Sequence, residues 1–157
     1  MPDAAAGVNA FIVTSPAYGE DQTIPRRFTC DGANLSPALA WHGAPEGTEG
    51  FALVMDDPDA PRGTFTHWVL FDLPAALDGL AEGDRATGIG GRNDFGTTGY
   101  GGPCPPRGHG PHRYQATLYA LSVASLGLRA GAGRDRVAAA MAGHVLGEAC
   151  LTGRYER

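Results

Sequence analysis

The sequence predicts a predominantly β protein that forms one domain over residues 1–157, with one helix near the C-terminal end. Short apolar or alternating segments recur along the chain, separated by turns that draw on 24 glycines and 12 prolines. Apolar residues at spacings of three and four occur late, in segment 135–149. Many strands and one late helix are typical of a mainly β fold.

Five candidate strands lie in the first half of the chain. The segment AFIVTSPAY (10–18) opens with a strand, and IPRRFTC (24–30) and PALAW (37–41) are further short candidates followed by turn-rich stretches. The apolar runs FALVMDD (51–57) and FTHWVLFDLP (65–74) are typical of strands that are buried on both faces of a sheet. The sequence therefore predicts two long central strands and three short ones.

The second half begins with a long loop. Residues 89–111 exceed the length that a compact domain usually tolerates without a purpose, so we expect this loop to be ordered and functional. The segment 112–122 then alternates apolar and polar residues, which predicts a strand.

The predicted helix covers 135–149. Val137, Met141, His144 and Val145 follow helical spacing, and Asp135 can cap the helix or favour its positive end. The closing TGRYER is a candidate for a last short strand.

Composition excludes several classes of protein. The formal net charge of −5 argues against nucleic-acid binding. No apolar stretch is long enough to span a bilayer, and the N-terminus lacks the basic start of a signal peptide. Cys30, Cys104 and Cys150 are few and widely spaced, so we expect a cytoplasmic protein with three reduced, buried cysteines; one buried disulfide is the alternative.

Polar side chains interrupt three of the predicted strands. Asp57 ends one strand on the face of its apolar residues, and Asp59 follows it. His67 belongs by alternation to the face of Val69 and Phe71. A buried carboxylate needs hydrogen-bond donors, which histidine and tyrosine side chains can supply.

The third strand begins with His112 and Tyr114, which share a face. The glycine- and proline-rich loop GGPCPPRGHG (101–110) precedes them, and we expect it to offer free backbone N–H groups. Polar groups at three strand ends beside such a loop predict a small pocket for a polar ligand.

These segments resemble a known family. The motifs DPDAP, GTFTHW and GPCPPRGHGPHRY, in this order, are similar to those of the phosphatidylethanolamine-binding proteins, and more closely to their bacterial Raf-kinase-inhibitor-like branch. The resemblance spans roughly residues 11–156. It implies an antiparallel β-sandwich with Greek-key connections, a C-terminal helix and a small anion-accepting cavity.

The resemblance also implies a function. It suggests a non-catalytic regulator that binds a small anionic or zwitterionic phosphoryl ligand such as phosphoethanolamine, with a kinase or peptidase as protein target and a homodimer as assembly. We expect no cofactor, no metal and no catalytic residue. Arg113 is expected to brace the loop. The residues that match the family's cavity are Asp57, Asp59, His67, Gly102, Cys104, Pro105, His112 and Tyr114.

Two other functions remain open from the residues alone. Asp, His and Tyr side chains can perform acid–base chemistry, so a hydrolase is one alternative. The other is a thiol redox protein, because Arg107, His109 and His112 can lower the pKa of the Cys104 thiol.

Overall fold

The computed structural model describes residues 10–157, which contain two β-sheets and one α-helix. The strands are β1 (Ile12–Thr14), β2 (Gln22–Thr23), β3 (Leu39–His42), β4 (Gly50–Asp57), β5 (Phe65–Pro74), β6 (Gly79–Leu80), β7 (Ile89–Gly90), β8 (His112–Leu121) and β9 (Val145–Tyr155), and the helix is α1 (Arg134–Met141). The smaller sheet has the strand order β1-β3-β6, and the larger has the order β2-β9-β8-β4-β5-β7.

Strands β4 and β5 are almost entirely buried because this part of the large sheet is covered on both faces, whereas β8 alternates buried with partly exposed residues over most of its length. One apolar cluster fills the space between the sheets, where Trp41 of β3 packs on Phe51 of β4 with ring centroids 5.6 Å apart. A second cluster lies on the opposite face, beneath Val137 and Met141 of α1. The mainly β fold with a late helix is therefore confirmed.

The segment 24–30 does not form the expected strand. It forms a 3₁₀ helix at Arg26–Phe28, in which the Phe28 N–H donates to Pro25 O and the Thr29 N–H donates to Arg26 O. The φ of Pro25 is −58°, a value that favours entry into a helical turn. Residue type alone suggested β structure, but the proline and these local hydrogen bonds favour the turn.

The predicted helix over 135–149 is too long. The helix ends at Met141, and Gly143 follows with a φ of +83°, which reverses the chain. Val145 then pairs with Leu121, so the expected short final strand is the end of the eleven-residue β9. Asp135 lies in the first turn but does not cap the helix, whose N-cap is Gly133.

Within residues 10–157, no helix is long and apolar enough to cross a membrane.

The expectation of three reduced, buried cysteines is wrong. Cys30 and Cys104 form a disulfide across 74 positions of sequence, and Cys150 is free and exposed. The Cys30 N–H also donates to Pro103 O, so the 3₁₀ segment holds the proline-rich loop at two points. Cys104 therefore has no free thiol, which removes the basis of the thiol redox alternative.

Candidate ligand-binding site

A cavity of about 200 Å³ lies where the end of β4 meets the starts of β5 and β8. We call it the histidine cavity. The residues that line it are Asp57, Ala60, Pro61, Phe65, His67, Phe95, Cys104, Pro105, Pro106, His112 and Tyr114.

A β-bulge brings His67 into this cavity. Met55 pairs with Trp68 and Asp56 pairs with Thr66, so the register between β4 and β5 skips His67. Simple alternation grouped His67 with Val69 and Phe71, but those two side chains pack beneath α1. The His67 ring instead lies 5.1 Å from the Tyr114 ring. The predicted face was wrong because the bulge reverses the alternation.

Asp57, His112 and His109 form a continuous hydrogen-bonded chain from the protein interior to the surface. Asp57 and His112 are 3% and 2% exposed, and His112 Nδ1–H donates to Asp57 Oδ2 over 2.7 Å. The other carboxylate oxygen, Oδ1, accepts the Asp59 N–H at 2.8 Å. His112 Nε2 lies 2.6 Å from Nδ1 of the exposed His109. The Asp57 charge is therefore countered by donors at both oxygens.

Two polar atoms of the cavity residues have no such partners. The Tyr114 hydroxyl is buried and makes no hydrogen bond of normal geometry to residues 10–157; burial and the neighbouring Asp57 carboxylate raise the pKa of this phenol. His67 Nδ1–H donates to Gly101 O over 2.7 Å, so Nε2 carries a lone pair in the neutral ring. Burial lowers the pKa of His67, which favours that neutral form.

Asp59 and Gly102 lie outside the lining of this cavity. Arg113 binds both carboxylate oxygens of Asp59 through Nε and Nη2, at 3.0 and 2.9 Å. This hydrogen bonding lowers the pKa of Asp59 to about 2. The pair holds the start of β8 against the exit of β4, so Asp59 and Arg113 act as a brace. Gly102 borders a neighbouring cavity instead.

Part of the loop backbone is used to fix the position of the loop itself. Pro103, Pro105 and Pro106 have no N–H, the Gly101 N–H donates to His67 O, and the Gly102 N–H donates to Asn34 Oδ1. These amides do not provide the free N–H groups that we expected. The Cys104 N–H is outside this set and belongs to a residue that lines the cavity.

Sequence reasoning missed the aromatic rim and the role of His109. Phe95 is 46% exposed and contacts both Phe65 and His67, with ring centroids 4.8 and 5.2 Å away. His109 precedes His112 by three residues, a spacing that was visible in the sequence, but its contact depends on the turn between them. Six of the eight predicted site residues line the cavity, and their role in binding stays a prediction.

The cavity combines one unpaired phenol donor, one imidazole that accepts or donates according to its protonation, and a buried carboxylate–imidazole pair. Within residues 10–157, no group of three or more His, Cys, Asp or Glu side chains is arranged to hold a metal ion. The arrangement is suited to hydrogen bonding with a small, strongly polar group next to an apolar rim.

Comparisons with known proteins agree with this architecture. A UPF0098 protein of Aquifex aeolicus is 49% identical and covers 98% of this chain and 92% of its own length. The crystal structure of Escherichia coli YbcL, described as a member of the mammalian PEBP family, has a TM-score of 0.88 and 33% identity, covering 94% of this chain and 98% of YbcL.

A more distant structural neighbour is the carboxypeptidase Y inhibitor, solved in complex with its cognate proteinase. It has 21% identity and a TM-score of 0.56, with 93% of this chain and 82% of the inhibitor covered, and it supports the fold alone. The family model for phosphatidylethanolamine-binding protein matches residues 14–156, nearly the whole chain. With the motifs at the cavity and this match in agreement, the chain belongs to the phosphatidylethanolamine-binding protein family.

Proposed function

We propose that this chain is a non-catalytic binding protein whose histidine cavity takes a phosphoryl group, either as free phosphate or as a small head group such as phosphoethanolamine. The size of the cavity supports a small ligand. Its volume of about 200 Å³ lies below the range of about 300–1,000 Å³ that is typical of pockets for drug-sized molecules.

The observation that carries the proposal is the buried Tyr114 hydroxyl without a partner. A polar group buried in this way costs free energy unless something supplies the missing hydrogen bond. Tyr114 lines the cavity beside Asp57, and in this proposal the hydroxyl turns to donate to a ligand oxygen bound there. His67 Nε2–H becomes a second donor when the ring is protonated, and a nearby anion favours that protonation.

Asp57 makes a zwitterion a better fit than a bare anion. A phosphate beside this buried carboxylate is repelled, although His112 and the Asp59 N–H counter part of the charge. The ammonium group of phosphoethanolamine is attracted to the same carboxylate while its phosphate meets the donors. We therefore expect phosphoethanolamine to bind more tightly than inorganic phosphate.

Acid–base catalysis is less well supported than binding. The Asp57–His112 pair has the form of a carboxylate that orients an imidazole, which a hydrolase could use. In a nucleophile–base pair, however, a hydroxyl or thiol would lie against His112 Nε2, and that position is occupied by His109. The geometry therefore favours a binding function.

Other expectations stay predictions. A kinase or peptidase target and a homodimer have no residue-level support in this chain, and peptidase inhibition is stated only for the carboxypeptidase Y inhibitor. Cytoplasmic location also stays a prediction. The Cys30–Cys104 disulfide removes the cysteine argument on which it partly rested.

The test is a titration with inorganic phosphate, phosphoethanolamine and ethanolamine, in which binding is monitored through the NMR signals of the histidine rings. We expect dissociation constants on the order of tens of micromolar to millimolar for the two phosphoryl compounds. Tyr114→Phe should weaken both about tenfold or more, because a hydrogen bond to a charged group is lost.

Tyr18→Phe is the matched control. Tyr18 also has a buried hydroxyl without a partner among the described residues, but it lies in the apolar core and does not line the cavity. This variant should bind as the wild type does. If the histidine signals stay unchanged at tens of millimolar phosphoryl ligand, or if both variants bind equally well, the proposed function is wrong.

A further inference from the structure

We propose that His109 is a proton-controlled latch on the histidine cavity: its imidazole occupies His112 Nε2, and an oxyanion must displace it to use that nitrogen as a third donor. The inference rests on the proposed function and concerns the regulation of the same site. Its starting observation is the 2.6 Å contact between His109 Nδ1 and His112 Nε2.

The contact joins a fixed imidazole to one that can leave. His112 is 2% exposed and is held by Asp57 through its other nitrogen. His109 is exposed and lies between Gly108 and Gly110, whose φ angles are +76° and +87°. Because His109 is exposed, its side chain can swing outward into solvent, whereas the buried His112 cannot follow it.

The number of protons on the two rings decides whether the latch is closed. His112 Nδ1 carries a proton because Asp57 accepts from it. With one further proton between His112 Nε2 and His109 Nδ1, one nitrogen donates and the other accepts, and the contact is stable. When both of these nitrogens carry protons, two N–H groups face each other over 2.6 Å, so the contact breaks.

An open latch changes what the cavity can bind. His112 is then a cation whose Nε2–H has lost its acceptor, and Asp57 stabilises the charge. This N–H can join the Tyr114 hydroxyl as a donor to an oxyanion. Acid conditions therefore favour opening and anion binding together, and an anion bound at His112 favours the open state in return.

Other charged and titratable groups lie around the pair. Asp57 and Asp59 approach from the end of β4. His67 from β5 and Tyr114 on β8 border the same cavity. The remaining groups are Arg107 on the loop, Arg113 on β8, Tyr155 at the end of β9 and Arg157 just after it.

The experiment measures sulfate affinity at about pH 7.5 and about pH 5.5, a range that brackets the titration of imidazole. Sulfate is a tetrahedral oxyanion whose own charge stays constant over this range, so a change in affinity reports on the protein. Wild type should bind sulfate several-fold more tightly at the lower pH. His109→Ala should bind it about two- to tenfold more tightly than wild type at the higher pH, because no hydrogen bond to His109 has to be broken.

His42→Ala is the matched control, because His42 is an exposed histidine in the small sheet, away from the cavity. It should behave as wild type at both pH values. His109→Ala should also show a weaker pH dependence than wild type, since the contact that a second proton breaks is gone.

The outcomes separate the two proposals. Sulfate binding in which His109→Ala equals wild type at both pH values overturns the latch and leaves the phosphoryl pocket standing. Weaker binding by His109→Ala also overturns the latch, because it would make His109 a ligand contact. If sulfate and phosphoethanolamine bind to none of the three proteins, the pocket and the latch both fail.

Discussion

Two cavities of this molecule differ in volume and in the charge of their lining residues, and we refer to them together as the two hollows. The larger, of about 480 Å³, is a cleft beside the start of α1, and Arg92, Arg134 and Arg136 contribute to its lining. We call it the arginine cleft. The histidine cavity has less than half this volume, and no arginine is among its lining residues. Charge and size alone would assign an oxyanion to the cleft.

Hydrogen bonding gives the reverse assignment. In the arginine cleft, the Thr66 hydroxyl and Arg134 Nε both donate to Asp56, over 2.7 and 2.9 Å, and the Thr66 N–H donates to Asp94. These groups satisfy one another, and Arg92 and Arg136 are exposed, so water can solvate their guanidinium groups. In the histidine cavity the Tyr114 hydroxyl is buried without a partner among residues 10–157. An unsatisfied buried hydroxyl on a residue that also lines a cavity, a combination that Tyr18 lacks, therefore favours the histidine cavity as the candidate site.

The largest difference between the two hollows should appear on removing a carboxylate. Asp57→Ala leaves the buried His112 Nδ1–H and the Asp59 N–H without their acceptor, so we expect a loss of about 3–5 kcal/mol in the free energy of unfolding. Asp135 in the arginine cleft is fully exposed in the first turn of α1, and Asp135→Ala should cost less than about 1 kcal/mol. Urea denaturation of both variants makes the comparison, and equal stabilities would contradict it.

A smaller effect of opposite sign should follow from deleting one hydroxyl in each hollow. Tyr114→Phe removes an unsatisfied buried group and should stabilise the unliganded protein by about 1 kcal/mol. Thr66→Val removes a buried donor to Asp56 and should destabilise it by about 1 kcal/mol. Thermal unfolding without ligand measures both. A destabilised Tyr114→Phe would mean that this hydroxyl already has a partner in the folded protein.

The sequence predicted the framework of the site well because long apolar runs leave little choice of structure. The runs 51–57, 65–74 and 112–122 agree with β4, β5 and β8 within one residue at each end. Which strand ends meet depends on pairing between distant segments, and the motif resemblance, rather than periodicity, suggested it. Short segments were less predictable, since the strand pairing of Val145 with Leu121 overrides the helical pattern around it.

The details of the site depended on contacts that no local pattern contains. The face of His67 is set by a bulge that exists only when β4 and β5 are paired. The Cys30–Cys104 disulfide joins residues 74 positions apart. Asp59 was assigned to the cavity by its motif, but Arg113 of β8 binds its carboxylate outside the lining of the cavity. These contacts can be read only from three-dimensional neighbours.

The smallest predicted difference concerns pH, because His67 and His112 line the histidine cavity and no histidine is among the residues that line the arginine cleft. Burial lowers the pKa of His67 below its ordinary value of about 6.5, so the unfolded chain binds a proton more readily than the folded one. The stability that neutral His67 provides is fully present above that ordinary value. It decreases as the pH falls from there towards the lowered pKa.

His67→Gln should remove this component, so its free energy of unfolding should depend less on pH between about pH 5 and 7 than that of wild type. His42→Gln, at an exposed position, should retain the wild-type dependence. Denaturation at a series of pH values tests this, and identical slopes for His67→Gln and wild type would contradict it. Saturating sulfate, whose charge stays constant over this range, should also reduce the wild-type slope, because an anion beside His67 offsets the effect of burial and stabilises the protonated ring that burial alone disfavours.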